Sequence, residues 1–199
     1  VSFSDGDPMN ARILGVSECT DLAVIQLEGD GYTPLTFRED PVSVGLDVFS
    51  AGFPAADEID FDDLDYTLTG GIVSSTGADG ETSWASVDGV LQHDAKILGG
   101  NSGGPLVDEN GQVLGVNYAG SLEFDTNFAI AAQDARPVID RLIEGENVDS
   151  LGINGQAQIF DQGLSGIFIS SVESGSPADK AGIEPGDVLI TLENLVMAT

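Results

Sequence analysis

Seven consecutive residues, Gly100-Asn101-Ser102-Gly103-Gly104-Pro105-Leu106, have the make-up of a nucleophile turn. A serine that attacks a carbonyl must protrude, with nearby N–H groups facing the oxygen that becomes an oxyanion. Small neighbours permit both the tight turn and the close approach of substrate. Two backbone N–H groups, on Ser102 itself and on Gly100 two residues before it, could form the oxyanion hole. An ordinary glycine-rich turn has the same composition, so the heptapeptide alone leaves both readings open. His93, the one histidine of the sequence, stands beside Asp94 nine positions before the serine. It is expected to be a surface or rim residue.

Other reactive residue types carry less. Asp57, Glu58, Asp60, Asp62, Asp63 and Asp65 cluster before an apolar run. Hard cations take carboxylate oxygens, but the spacing is not that of an EF-hand and its turn glycine is missing. A solvated acidic loop is the expectation. The single cysteine, Cys19, excludes an internal disulfide framework. It has no basic neighbour and precedes an apolar run, which predicts a small buried filler.

The 199 residues hold 34 Asp and Glu against 6 Lys and Arg, a net charge of −28. A surface this negative repels phosphate backbones and anionic lipid, which argues against a nucleic-acid or membrane-surface binder. Apolar residues make up 41%, enough to build a core. No run of about 18 apolar residues is present to cross a bilayer as a helix. Few carboxylates can find a cationic partner, so most must be solvated and repel one another in low salt. Screening relieves that repulsion, since the Debye length falls to roughly 3 Å at 1 M salt. A salt-rich setting is therefore expected.

The elements that must position Ser102 are mostly strands. Ala11–Val16, Leu22–Leu27, Val42–Gly52, Tyr66–Ser74, Val87–Gln92, Pro105–Val107, Val113–Tyr118 and Asn127–Ile130 are short apolar runs separated by glycine-rich turns. Such spacing favours a sandwich or barrel. Asn110-Gly111 between two of them is a hairpin signal, both residues tolerating φ > 0. The period then changes. Ala135, Val138, Ile139, Leu142 and Ile143 mark one face of a helix, with Pro137 in its first turns and Gly145 as its stop. Gly145 to Ser150 is polar and acidic, as in a linker. A second β-rich stretch follows, in which Ser176-Pro177 to Gly182 reads as a short capped helical turn.

Several motifs now fall into one order. The Gly100–Leu106 heptapeptide resembles the nucleophile motif of trypsin-like serine proteases, and Gln92–Leu106 resembles that of their HtrA (DegP/DegQ/DegS) branch. Asp21-Leu22-Ala23-Val24-Ile25 is similar to the segment carrying that family's catalytic Asp. Thr67–Ser74 resembles the strand before its regulatory loop, and Phe128-Ala129-Ile130 with the helix after it resembles the end of its protease domain. Ser150-Leu151-Gly152-Ile153, Gly175–Ala178 and Gly186–Leu189 resemble a PDZ domain. These motifs cover nearly the whole chain.

The resemblance implies a mainly β protein: a chymotrypsin-like double β-barrel, its N-terminal barrel incomplete, followed by a truncated PDZ domain. The protease domain would take residues 1–145, a linker 146–150 and the partial PDZ domain 151–199. Ser102 would be the nucleophile, and Asp21 would orient a histidine base. Gly100 and Ser102 would donate the oxyanion hole. Val116, Asn117, Tyr118 and Ala119 would run beside the substrate, while Ile97 and Ile130 would border the primary specificity pocket. Ser150, Leu151, Gly152 and Ile153 would form the PDZ carboxylate-binding loop. No metal or organic cofactor is implied. Unfolded polypeptides would be substrates, peptide C-termini would be ligands of a complete PDZ domain, and trimers would form outside the cytoplasm.

Some positions depart from the pattern. The family places its catalytic histidine upstream of the Asp, and no residue before Asp21 is His. Truncation before Val1 is the expected cause, and the 199 residues alone would then lack proteolytic competence. His93 stands where the family usually has Thr, Lys96 where it usually has a small residue, Leu98-Gly99 where it has a more polar pair, and Ala131 where Pro often follows Phe-Ala-Ile. Lys96 is expected to point to solvent, because an unpaired buried Lys is costly. The competing reading is a catalytically dead protease that only captures peptides. An intact Asp21 and Gly100–Pro105 argue against it.

Overall fold

The structure, a computed structural model, describes residues 9–54, 66–81, 86–121, 126–148, 151–159, 165–192 and 195–196. The acidic cluster at 57–65 and Ser150 lie outside the described residues. Two compact units divide the chain, Val1–Val148 and Asp149–Thr199.

The first unit begins with a hairpin of β1 (Ala11–Ser17) and β2 (Leu22–Leu27). Six further strands follow: β3 (Asp47–Gly52), β4 (Thr67–Glu81), β5 (Ser86–His93), β6 (Pro105–Val107), β7 (Val113–Ser121) and β8 (Thr126–Ala131). They close into an antiparallel barrel in the order β3-β4-β5-β8-β7-β6, with β6 returning to β3. Closure leaves no free sheet edge around the ring. Inward-facing side chains alternate with outward ones and fill it, so Val48, Val73, Leu91, Leu106, Leu114 and Ala129 form its interior core. Of the expected N-terminal barrel, the described residues form the β1–β2 hairpin.

Helix α1 (Ala132–Ile143) follows β8 directly. Its Ala135 and Leu142 join Leu22, Val90, Tyr118, Ile130 and Val148 in a second core that ties the hairpin to the barrel. Full burial of an aliphatic side chain contributes roughly 1.5–3 kcal/mol, so Leu22 and Leu142 are the main fastenings of the hairpin. Ile143, expected on the same face, is 54% exposed. It lies in the last helical turn, past the edge of the contact. Gly145 (φ +85) ends the helix as its sequence implies.

The expected linker is partly packed. Asn147 Oδ1 accepts the Val16 N–H at 3.0 Å, Val148 donates to Val16 O, and Val148 is buried. The division between the two units falls just after it in the chain.

Other expectations are corrected. Val42–Leu46 does not extend β3: Leu46 N–H bonds back to Ser43 O and Gly45 has φ +86, which makes a turn. At Asn110-Gly111 only Gly111 has positive φ. The loop is set instead by Asp108, whose Oδ1 accepts the Asn110 and Gln112 N–H groups and whose Oδ2 accepts from Arg38 at 2.7 Å. Burial alone would raise that carboxyl's pKa, but these donors hold it below the usual range. Cys19 is exposed, because it sits in the β1–β2 turn, not on β2. His93 is 1% exposed, because it ends β5 on the inward-facing register of Leu91.

The second unit holds β9 (Ile153–Ile159), β10 (Ser165–Val172), α2 (Pro177–Ala181), β11 (Val188–Leu189), β12 (Thr191–Leu192) and β13 (Leu195–Val196). Strands β11, β10 and β9 form one antiparallel sheet. The turn α2 has the expected caps: Ser176 Oγ accepts Asp179 N–H at 3.1 Å, Pro177 opens it and Gly182 closes it at φ +81.

Candidate active site

The heptapeptide folds as two consecutive turns between β5 and β6. Leu98 O accepts the Asn101 N–H at 3.0 Å, and Asn101 O accepts the Gly104 N–H at 3.0 Å. Each turn needs positive φ at its third residue, and these are Gly100 (φ +98) and Gly103 (φ +84). The glycine spacing of the motif is thus the spacing of two turn positions.

The turns are gripped on both sides. Gly103 N–H donates to Asn117 O at 2.7 Å, and Asn117 N–H donates to Gly104 O at 2.9 Å, which extends the β6–β7 pairing into the loop. On the β3 side a Cβ at Gly104 would lie 2.7 Å from Ala51 O, and one at Gly52 would overlap the buried Asn101 side chain. Only hydrogen in place of a side chain allows that approach.

What remains free is informative. The turns consume the Asn101 and Gly104 amides, and β7 takes the Gly103 amide. Among the described residues the Gly100 and Ser102 amides have no hydrogen-bond acceptor. Ser102 itself is exposed, and its hydroxyl donates to Tyr118 O at 3.2 Å. An exposed hydroxyl beside two uncommitted N–H groups can attack a carbonyl and stabilise the resulting oxyanion.

Asp21 closes the β1–β2 turn in the left-handed region, at φ +54. That conformation costs an L residue roughly 1–2 kcal/mol, and Asp tolerates it better than most. Leu22 beside it packs into the same core as Tyr118. The Tyr118 phenol is buried and its hydroxyl has no hydrogen-bond partner. Burial raises its pKa, and the nearby Asp21 charge adds to the rise. Tyr118 thus bonds Ser102 through its carbonyl, and its phenol lies within the electrostatic reach of Asp21.

The other expected residues are placed as follows. Val116, Asn117, Tyr118 and Ala119 lie on β7, with a bulge between Asn117 and Ala119 on the β8 side. Ile97 is buried against Gly120, where a Cβ would lie 3.0 Å from Ile97 Cγ1. Ile130 lies deeper, in the core with Leu22 and Tyr118. Lys96 is exposed. In the second unit Leu151 O accepts the Ala178 N–H, and Gly152 O accepts the Glu173 N–H. Gly152 has φ +72, and a Cβ there would overlap Ser176. Ile153 opens β9.

Sequence reasoning missed Asp94. Its Oδ1 accepts the Ile72 N–H at 2.6 Å, and Thr69 Oγ1 donates to Lys96 O at 2.6 Å. Together they hold residues 94–96 alongside β4 and so carry Ile97 into place. The bare Gly71 opposite, where a Cβ would overlap Asp94 and Ala95, was the available signal.

Among the described residues no group of three or more His, Cys, Asp or Glu could hold a metal ion. No helix is long and apolar enough to cross a membrane. A cleft near the start of α1, lined in part by Arg38, Asp40, Thr76 and Gln133, contains none of the residues above. Its Arg38 is committed to Asp108.

Comparison with known proteins places these features. The profile of the trypsin-like peptidase domain matches residues 1–116, and that of the PDZ domain matches residues 141–197. The chain is 34% identical to the serine protease Do-like HtrA of Bacillus subtilis (strain 168), over 97% of this chain and 47% of that protein. It is 33% identical to a probable periplasmic serine endoprotease, DegP-like, of Rickettsia conorii, over 98% of this chain and 40% of that protein. The chain thus spans less than half the length of these curated relatives. Among solved structures, an HtrA-type protease AlgW with decapeptide superposes with a TM-score of 0.60 at 29% identity, over 94% of this chain and 59% of that one.

Proposed function

The chain belongs to the trypsin-like peptidase family and carries a PDZ domain, and from that premise we propose that it is the core of an HtrA-like serine endopeptidase. The observation that carries the reading is the exposed Ser102 hydroxyl beside the uncommitted Gly100 and Ser102 amides. Ser102 attacks the scissile carbonyl. Its proton passes to a histidine base, and the Gly100 and Ser102 N–H groups hold the tetrahedral oxyanion. The amine leaves with that proton, and water then hydrolyses the acyl-enzyme. Asp21 orients and stabilises the imidazolium. The base is a histidine outside these 199 residues, since His93 is 1% exposed and cannot meet substrate. The 199 residues alone are therefore expected to show no turnover.

The segment of β7 from Val116 to Ala119 runs beside the substrate, which pairs as an added strand where β7 continues past the Ser102 turn, at Tyr118 and Ala119. Tyr118 O, now taken by the Ser102 hydroxyl, is the acceptor for a substrate amide. Ile97 and Ile130 favour small or medium apolar side chains. The strand-adding mode reads backbone, which suits unfolded polypeptide. The loop of Ser150, Leu151, Gly152 and Ile153 takes a peptide carboxylate and regulates the protease. The names of the relatives support a periplasmic or other extracytoplasmic location. Assembly into homo-oligomers belongs to the same reading.

A dead, peptide-capturing protease has one observation on its side, the burial of the sole histidine. Fluorophosphonate labelling of the full-length protein separates the two. Labelling at Ser102, lost in Ser102→Ala, supports the enzyme, and an unlabelled native protein supports the binder.

A further inference from the structure

Beneath the nucleophile turn lies a polar group that the proposed reaction does not use. Ser50 on β3, His93 on β5 and Asn117 on β7 are each at most 1% exposed. Buried polar groups are costly unless hydrogen-bonded. Asn117 Nδ2 donates to Ser50 Oγ at 3.0 Å, while Asn117 Oδ1 and both imidazole nitrogens lack a partner in this arrangement.

The groups facing the imidazole are the Ala95 backbone and the Asn117 side chain, with Asp94 as the neighbouring charge. All three favour the protonated ring, as acceptors and anions do, but burial outweighs them and keeps it neutral. A neutral imidazole has one donor and one acceptor nitrogen, so it cannot serve two acceptors. The oxygen and nitrogen of an asparagine amide can exchange places without changing its shape. Turning the Asn117 amide over removes the mismatch on its side of the ring. Ser50 Oγ–H can then donate to Asn117 Oδ1, and Asn117 Nδ2–H is presented to the imidazole as a donor, which leaves the other ring nitrogen to carry its N–H on the side of the Ala95 backbone.

Asn117 is also the residue whose backbone grips the turn, through Gly103 N–H and Gly104 O. We propose that His93 is a positioning residue: it fixes the Asn117 amide in one orientation across the barrel, and through Asn117 it holds the Gly103 and Gly104 bonds that aim Ser102. Its effect on reaction rate rests on the reading of Ser102 as nucleophile. Its effect on the turn does not.

The test uses the full-length protein with His93→Gln, which keeps a donor and an acceptor, and His93→Phe, which keeps neither. Hydrogen exchange is followed at the Gly103 and Asn117 amides. The Val113 amide, bonded to Thr36 O at the far end of β7, is the reference. In His93→Phe, Gly103 and Asn117 are expected to exchange about fivefold or more faster relative to Val113, the effect of one buried hydrogen bond. His93→Gln restores most of the protection. Fluorophosphonate labelling of Ser102, measured where circular dichroism shows each variant folded, follows the same order. Equal acceleration of all three amides, or none, overturns the proposal. Should His93→Phe not fold, Ser50→Ala at the other end of the relay must give the same selective acceleration, and its absence overturns the proposal equally. An unlabelled native protein would defeat the protease reading, while the exchange rates still decide the relay.

Discussion

The Ser102 turn is held by a closed barrel, and the Asp21 turn by a two-stranded hairpin leaning on one helix. Around Ser102, two backbone bonds to Asn117, two internal turn bonds and close packing on Ala51 and Gly52 converge on a few residues. Around Asp21, the turn carries a 3.4 Å bond from its N–H to Glu18 O and a 2.7 Å bond from Thr20 Oγ1 to Ser17 Oγ, and Leu22 anchors it in the core. The hairpin also presents Ile13 and Ile25, paired across the strands, at 65% and 50% exposure. A lone hairpin is marginal in water. The proposed oxyanion donors therefore sit on the more firmly held side, and the residue proposed to orient the base sits on the more deformable one.

The largest test of this contrast is chemical. In the full-length protein Ser102→Ala should reduce peptide turnover by about 10⁴-fold or more, and Asp21→Asn by about 10⁴-fold. Ser102→Ala should leave the thermal midpoint unchanged. Turnover close to the native rate in either variant would remove that residue from the mechanism.

A pH effect should follow, confined to the barrel. The His93 pKa is lowered from 6.5 to about 4 by burial. The unfolded chain thus takes up a proton below pH 6.5, while the folded one resists until about pH 4. His93 contributes its full stability above pH 6.5 and loses it as the pH falls through that window, by about 3 kcal/mol in all. Urea titrations at pH 7 and pH 4.5 should show the loss, and His93→Gln should flatten that part of the slope.

Two glycines break the regions separately. A Cβ at Gly104 would meet Ala51 O and Asn101 O, whereas one at Gly15 would meet Glu146 O and Leu142 Cα behind α1. Each alanine variant should lose about 1–3 kcal/mol. Gly104→Ala should abolish labelling of Ser102, and Gly15→Ala should speed hydrogen exchange in β1 and β2 while sparing β7. If Gly15→Ala loosens β7 equally, the hairpin and barrel are one cooperative block.

Salt should act more weakly and everywhere. The described residues hold two ion pairs, Arg38–Asp108 and Arg141–Glu146, against a net charge of −28. Raising KCl towards 1 M should raise the thermal midpoint by screening like charges, and an unmoved midpoint would remove the expectation of a salt-rich setting. Breaking the exposed Arg141–Glu146 pair should change stability by under about 0.5 kcal/mol.

Local chemistry was the legible part. Strands β2 and β6 were bounded correctly because turn residues flank them, and α2 was readable from its Ser, Pro and Gly. The fate of single side chains was less legible. Cys19 was assigned to the apolar run it precedes, but the turn begins before it. His93 was read from its polarity, but strand alternation carries it inward and Asn117 and Ala95 face it there. Val42–Leu46 is apolar enough for a strand, yet Gly45 turns the chain. Asp94 has no motif at all, since its role is a bond to Ile72 on another strand.

By itself the sequence determined which residues could do chemistry. The order of Asp21, the Gly100–Leu106 motif and the PDZ-like segments is a one-dimensional pattern, and the glycine spacing of the Ser102 turn encodes its backbone angles locally. Only the tertiary structure decided that the Gly100 and Ser102 amides stay uncommitted, that Tyr118 lies near Asp21 while bonding Ser102, and that His93 is buried inside the barrel. Those facts depend on which strands pair across a closed ring, and the pairing joins residues far apart in sequence through contacts that no local preference specifies.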